Sequence, residues 1–260
     1  MKYDTINLEI SDGVATISLN RPDVHNAMNE PLMKELTSCF KNLDKDDKIR
    51  VIILTGKGKS FCAGADLNWM KSMVNYSKEE NVRDSRLLLD LYDSIYNCSK
   101  PIIGRVNGHA FGGGIGLFAV CDIVIAVPNC MFAFSEVKLG IIPSVISTFI
   151  ARRINVSTTR RLFLTGQRFD SNYGKEIGLI DFVVTEEEFD SEVKKYTDLL
   201  LTSGPEAIKQ VKLLIDNYEK LDLDKYEEHT VKKIAELRVS DEGQEGINAF
   251  LEKRKTKWSG

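Results

Sequence analysis

Two short stretches of this chain carry residue types that can do chemistry. One runs Asn107-Gly-His-Ala-Phe-Gly-Gly-Gly-Ile-Gly-Leu117, and the other runs Phe134-Ser-Glu-Val-Lys-Leu-Gly-Ile-Ile-Pro143. The first is a glycine cluster that opens a predicted helix. Glycines let a ligand approach the backbone closely, and helix-start amides can hold a developing negative charge. The second contains one isolated carboxylate, Glu136, among apolar residues. A lone acid in such a setting tends toward a raised pKa and can trade protons near neutral pH. The pair points to proton transfer beside an oxyanion hole. Each half also has a plainer explanation. The glycines can be a packing device where a helix crosses a strand, and Glu136 can be a helix cap or a surface residue. The flanking Met131-Phe-Ala-Phe134 argues against a fully exposed loop.

Three further segments carry motif-like residue patterns. Thr55-Gly-Lys-Gly-Lys-Ser60 ends like a phosphate loop, but the position of that motif's first glycine is Ile53, inside a strand pattern. A nucleotide triphosphatase is rejected on that ground, and a basic turn near some other phosphate stays open. Phe61-Cys-Ala-Gly-Ala-Asp-Leu-Asn-Trp-Met70 reads either as a tight turn with Asp66 near a helix start or as a backbone surface on which a flat ligand lies. Cys62 is a conceivable activated thiol there, with no histidine partner in sight. Gly114-Ile-Gly116-Leu-Phe-Ala119 fits only the looser dinucleotide fingerprint and falls within the predicted helix, which argues against dinucleotide binding.

These groups need a scaffold, and 260 residues can build one large domain or a domain with an appendage. Composition is that of a soluble globule, 43% apolar and 28% charged. A net charge of −3 favours neither nucleic acid nor a membrane surface. No apolar run reaches the length of a membrane span, and Met1-Lys-Tyr-Asp-Thr5 has no leader character. A cytoplasmic location is the expectation. Five cysteines without a Cys-x-x-Cys argue against a disulfide framework. His25, His109 and His229 lie far apart, and their spacing argues against a zinc site.

Hydrophobic patterning predicts the elements. Ile6–Ile10 and Val14–Leu19 alternate around Asp12-Gly13, a hairpin signal. Leu32, Met33, Leu36, Phe40 and Leu43 have helical spacing over Glu30–Leu43. Strands are predicted at Arg50–Thr55, Pro101–Val106, Asp122–Val127 and Leu179–Val184, and helices at Leu87–Ile95 and Gly113–Val120. Buried strands alternating with helices imply βαβ units in an α/β fold with a mostly parallel sheet. Further helices are predicted at Val145–Ile154, Thr158–Leu164 and Asp170–Gly178. Glu186–Lys255 reads as helices broken near Gly204-Pro205, Leu221-Asp222 and Ser240-Asp241. The reading divides the chain into a core, residues 1–200, and a helical C-terminal region, residues 201–260.

Taken together, the motifs resemble the enoyl-CoA hydratase/isomerase (crotonase) superfamily over essentially the whole chain. Asn20-Arg-Pro22 with Asn26-Ala27, Phe61–Leu67, Asn107-Gly108 with Gly112-Gly-Gly114, Cys121-Asp122 and Leu139–Pro143 stand in that family's order and spacing. Gly246–Lys255 is similar to its last helix. The resemblance implies a crotonase-like spiral of ββα units. It also implies a helical C-terminal trimerisation region, in a trimer or a dimer of trimers. The ligand is then an acyl-CoA thioester, with coenzyme A part of the substrate and no metal or separate cofactor. By position, the amides of Ala65 and Gly113 form the oxyanion hole and Glu136 is the acid/base. Ala27, Ala63, Gly64, Asp66, Leu67 and Asn68 line the CoA path. His25, Lys57 and Lys59 face CoA phosphates, and Phe250 and Lys253 complete the CoA site, sometimes across a subunit boundary.

One departure matters. Two-acid hydratases of the family have a glutamate where this chain has Gly116. A single glutamate suits a Δ3,Δ2-enoyl-CoA isomerase, which moves one proton between two carbons. Yet Gly112–Leu117, Phe134–Pro143 with Val145-Ile-Ser147, and Asp66–Met70 look similar to bacterial methylglutaconyl-CoA hydratases and to hydratases of acyclic terpene breakdown, which also lack that glutamate. The expectation is therefore hydration of 3-methylglutaconyl-CoA or a related branched enoyl-CoA. Ser144, by backbone or hydroxyl, is expected to position water, and Arg83, Arg86, Arg152 and Arg153 are the candidate cations for the extra carboxylate. A third reading is an RNA-binding protein using Lys209, Lys212, Lys232 and Lys233. Net acidity and the absence of interleaved aromatics weigh against it.

Overall fold

Asp12 and Gly13 reverse the chain with φ of 50° and 78°, the left-handed pair that a two-residue hairpin turn requires. They join β1 (Ile6–Ser11) to β2 (Val14–Leu19) in antiparallel register. These elements belong to a computed structural model that describes residues 3–259. Asn29 caps α1 (Glu30–Asp44), whose inward stripe is the one its spacing implies. Then come β3 (Val51–Gly56), β4 (Ser60–Cys62), α2 (Leu67–Met73) and α3 (Lys78–Tyr96). The next turn of the chain is β5 (Ile102–Val106), β6 (His109–Phe111) and α4 (Gly113–Ala119). After it follow β7 (Ile123–Ala126), β8 (Met131–Ala133), α5 (Ser147–Arg153), α6 (Val156–Thr165), β9 (Phe169–Asp170), α7 (Ser171–Glu176) and β10 (Phe182–Val183). Four helices end the chain: α8 (Glu186–Leu201), α9 (Pro205–Lys220), α10 (Leu223–Val239) and α11 (Asp241–Leu251).

Each circuit puts one strand into each of two sheets, and that repeat is the spiral. The larger sheet has the order β1-β2-β3-β5-β7-β10, parallel from β2 onward. The smaller one has the order β4-β6-β8-β9, parallel up to β8. The buried helix α4 anchors the smaller sheet. Phe118 packs edge-on against Phe61 of β4 at 5.7 Å and against Phe132 of β8 at 5.6 Å. Each such fully buried side chain contributes about 1.5–3 kcal/mol.

Besides the short strands of the smaller sheet, which carried no expectation, three elements differ from the sequence reading. Helix α3 begins at Lys78 and not near Leu87, because its first turns face solvent and show no apolar stripe. A capping box between Ser77 and Glu80 starts it. The strand expected over Leu179–Val184 pairs only at Phe182 and Val183. The last helix stops at Leu251, four residues short of Lys255.

Helix α8 packs on the core through buried Phe189 and Val193, whereas α9 is held to it by polar ties. Tyr96 donates to Asp216 at 2.6 Å, and Lys212 donates to Asp122 at 2.9 Å. Neither α9 nor α10 has a buried residue. Val211, Ile215, Val231, Val239 and Phe250 are all exposed. Among the described residues, no helix is long and apolar enough to cross a membrane.

Candidate active site

The site is built where β4, β6 and β8 end. These three strands are adjacent and parallel, so the segments leaving them emerge side by side. Ala65 follows β4, Gly113 follows β6 and Glu136 follows β8.

Ala65 sits in a short ribbon with the segment from His25 to Met28. Ala63 donates to the His25 carbonyl at 3.0 Å, Met28 to that of Gly64 at 2.6 Å, and Asp66 to that of Met28 at 2.8 Å. In a trans peptide, the Gly64 carbonyl and the Ala65 N–H point opposite ways. The Ala65 amide therefore points away from Met28, and Ala65 is exposed. Gly113 opens α4 as its first residue, where an N–H has no intrahelical acceptor. Among the described residues, no hydrogen-bond acceptor meets either amide. Met28 links the two. Its backbone brackets Ala65, and its methyl lies 2.5 Å from where a Gly113 side chain would begin. Tyr92 reaches from α3 to donate to the Gly113 carbonyl at 2.7 Å, which fixes that turn.

Glu136 begins a single 3-10 turn, Glu136–Leu139. Gly112 donates to the Ala133 carbonyl at 2.9 Å, so the glycine turn and the segment carrying Glu136 are tied together. A Cβ on Gly112 would stand 2.8 Å from Glu136 Oε1. Gly112 also has φ 50° and ψ −123°, a conformation open to glycine alone. Only glycine lets the turn lie against the carboxylate. Glu136 Oε2 is buried and accepts no hydrogen bond among the described residues. Burial accordingly pushes the Glu136 carboxyl above its ordinary range, with its own backbone amide opposing weakly.

That shift makes a stability prediction. Unfolded, Glu136 ionises near pH 4.3, about the model-peptide value; folded, it keeps its proton to higher pH. The native state then binds more protons between the two values, so stability falls as pH rises through that window. A glutamine carries no such penalty. E136Q is expected to melt higher than the parent at pH 7, and the gap is expected to close below about pH 4. Thermal melts at the two pH values check this. A parent at least as stable as E136Q at pH 7 contradicts it.

The remaining candidates fall into place unevenly. His25 is exposed, and its Nδ1 lies 3.0 Å from Ser60 Oγ. Asn26, fully buried, donates to the carbonyls of Lys57 and Ser60 at 2.9 and 2.8 Å. His25 thus lies beside the β3–β4 turn that carries Lys57 and Lys59. Ala27, Ala63, Gly64, Leu67 and Asn68 continue along the same ribbon into α2, and Leu67 is 73% exposed.

Asp66 departs from its expected role. Its carboxylate is buried, caps α2 through the amides of Asn68 and Trp69, and pairs with Arg21 at 2.8 Å. Burial opposes its ionisation, but Arg21 and the two amides outweigh burial and hold it below the usual carboxylate range. The side chain positions the ribbon, and its N–H and carbonyl are engaged with Met28 and Met70. Ser144 is likewise narrowed. Its N–H is spent on the Ile142 carbonyl at 2.8 Å, and its carbonyl accepts from Ser147. The exposed hydroxyl is what remains free to meet water. Cys62 is fully buried, which pushes its thiol up to about 12, so the activated-thiol reading fails.

Phe250 and Lys253 are not brought to this cluster. The tail beyond them returns to Arg50, just before β3, which donates to the Trp258 carbonyl. The site lies past the other end of that strand. Phe250 is 82% exposed.

Sequence reasoning missed Tyr92 and Ile146. Together they fill the space beside Gly116. A Cβ there would come within 2.5 Å of Ile146 Cγ2 and 2.9 Å of the Tyr92 ring. Their only sequence signal is bulk at helical or loop positions, which looks like any core residue.

The sequence pattern of the enoyl-CoA hydratase/isomerase family matches residues 9–260. The chain belongs to that family. It is an enzyme of the enoyl-CoA hydratase type, a lyase. It is 33% identical to the crotonyl-CoA hydratase of Syntrophomonas wolfei over 98% of each chain. It is 31% identical to the short-chain-enoyl-CoA hydratase of Clostridium acetobutylicum, over 98% of this chain and 97% of that one. The crystal structure of an enoyl-CoA hydratase from Shewanella pealeana superposes with a TM-score of 0.96 at 36% identity, covering 99% of this chain and 97% of that one. The hydratase's crotonase fold is thereby shown, and acyl-CoA thioesters are the substrate class this family works on. In this hydratase, two open amides and a carboxylate whose pKa burial raises converge at the ends of three neighbouring strands.

Proposed function

We propose that the chain adds water across the α,β-double bond of a branched enoyl-CoA, 3-methylglutaconyl-CoA or a close relative. The convergence of Ala65, Gly113 and Glu136 carries this reading. The thioester oxygen accepts from the Ala65 and Gly113 amides, which stabilise the enolate as negative charge develops there. Ionised Glu136 takes a proton from water as the hydroxyl attacks the β-carbon. It then returns a proton to the α-carbon, and the carboxylate is regenerated. One carboxylate suffices because the addition needs one proton removed and one delivered. The ribbon from His25 to Ala27 and from Ala63 to Asn68 receives the CoA moiety, with Lys57 and Lys59 toward its phosphates. Coenzyme A enters as part of the substrate, with no separate cofactor.

Ser144 Oγ orients the attacking water in this scheme. S144A is expected to lower the hydration rate about tenfold, the cost of one hydrogen bond to a developing charge, with KM little changed. Steady-state kinetics decides, and an unchanged rate removes Ser144 from the mechanism.

Residues 201–260 are the oligomerisation region in this reading, forming a trimer or a dimer of trimers. The exposed apolar residues of α9–α11 support that, and Phe250 and Lys253 then serve the CoA site of a neighbouring copy. All five cysteines are buried free thiols, which suits a reducing, cytoplasmic setting.

A second reading, Δ3,Δ2-enoyl-CoA isomerase, is favoured by the filled space at Gly116. Incubation with 3-methylglutaconyl-CoA and with a 3-enoyl-CoA separates the two by product mass. Hydration adds the mass of water, and isomerisation adds none. RNA binding has less support. Lys209, Lys212, Lys232 and Lys233 are each paired with a carboxylate of the same chain.

A further inference from the structure

A groove of about 470 Å³ opens between α3 and the segment leading into α5. Val82, Leu89 and Val145 give it apolar walls, and Ser144 lines it beside Val145. Two anchors connect it to the site. Leu89 is one helical turn from Tyr92, which holds the Gly113 carbonyl. Ser144 is two residues before Ile146, which packs on Gly116. On the enoyl-CoA reading, an acyl chain whose carbonyl rests on the Ala65 and Gly113 amides is directed past Tyr92 and Ile146 toward this groove.

The groove carries positive charge and no acid. Lys78 and Arg86 line it, and none of its lining residues is Asp or Glu. The six residues from Arg86 to Tyr92 span about 9 Å of helix, whereas Lys78 lies about 21 Å from Tyr92. The guanidinium stem and a five-carbon acyl chain bridge the shorter gap but not the longer. The other arginines are committed or misplaced. Arg152 pairs with Glu219 at 3.0 Å. Arg153 pairs with Asp181 at 2.6 Å and donates to the carbonyls of Leu179 and Cys121. Arg83 does not line the groove. Arg86 has no ion-pair or hydrogen-bond partner among the described residues.

We propose that Arg86 is a specificity-determining residue whose guanidinium receives a carboxylate at the far end of the acyl chain. The inference rests on the enoyl-CoA reading of the site and deepens it: the substrate class becomes a dicarboxylic acyl-CoA of about five carbons. A guanidinium fork matches a carboxylate in geometry and charge. Uncharged acyl chains gain nothing from it.

The test is binding of two saturated, unreactive esters, glutaryl-CoA and butyryl-CoA, to the parent and to R86M by calorimetry. Methionine keeps the groove apolar and of similar depth. The parent is expected to prefer glutaryl-CoA by about tenfold, the lower end for a charged hydrogen bond because Arg86 is open to solvent. R86M is expected to lose that preference while binding butyryl-CoA as before, and R86K to keep part of it. No preference in the parent, or a preference that survives in R86M, overturns the proposal. Equal weakening toward both esters overturns it too. Crotonyl-CoA hydration by the parent, measured alongside, reports on the hydratase reading by itself.

Discussion

E136Q is expected to lower the hydration rate about a thousandfold or more, the range in which positioned acid–base groups act. Affinity for a CoA ester is expected to stay within about twofold of the parent, since nothing in the mutation reaches the ribbon proposed to hold CoA. Glutamine fits the Glu136 site in volume and presents an oxygen toward Gly112, so the turn keeps its shape. What it lacks is a proton it can take and give back. The buried, unpartnered Oε2 makes this loss complete, because among the described residues no second acid touches that oxygen to substitute for it. Initial rates with crotonyl-CoA and calorimetry with butyryl-CoA give the two numbers. A rate within tenfold of the parent would remove Glu136 from the chemistry.

The second large effect is expected from G116E, which restores the residue of two-acid family members. Here it is expected to destroy the site and not to complete it. The first added carbon already meets Ile146 and the Tyr92 ring at 2.5 and 2.9 Å. Overpacking of that kind costs about 1–3 kcal/mol, and the carboxylate must be buried as well, at further cost. A total of about 3 kcal/mol corresponds to a melting point lower by about 10 °C in a chain of this size. Pushing Tyr92 aside also frees the Gly113 carbonyl and unsettles the turn proposed to hold the oxyanion. Scanning calorimetry and crotonyl-CoA hydration read both consequences. A stable variant that hydrates faster than the parent would show that room for a second acid exists.

Much of this arrangement was legible in the residues, and the rest was hidden for physical reasons. The hairpin, α1, β3, β5 and α4 announced themselves by period and by turn chemistry. The candidate residues Gly113 and Glu136 stood out by type alone. The smaller sheet did not, because its strands are two or three residues long and a three-residue strand has no measurable alternation. Yet that sheet aligns Ala65, Gly113 and Glu136. The residues allowed Asp66 either a place at a helix start or one along the CoA path, and its pairing with Arg21, 45 residues away, is what commits its side chain to the structure. Likewise Gly116 read as an absence. In three dimensions it is a position that Tyr92 and Ile146 occupy from separate elements.

Oxygen incorporation tests the central claim most directly. The parent enzyme is incubated with 3-methylglutaconyl-CoA in ¹⁸O-labelled water, and the product is read by mass spectrometry. One-carboxylate hydration predicts an ester carrying one heavy oxygen, formed by the parent and all but absent with E136Q. A product of unchanged mass with a shifted double bond, or a labelled product formed equally fast by E136Q, would contradict it.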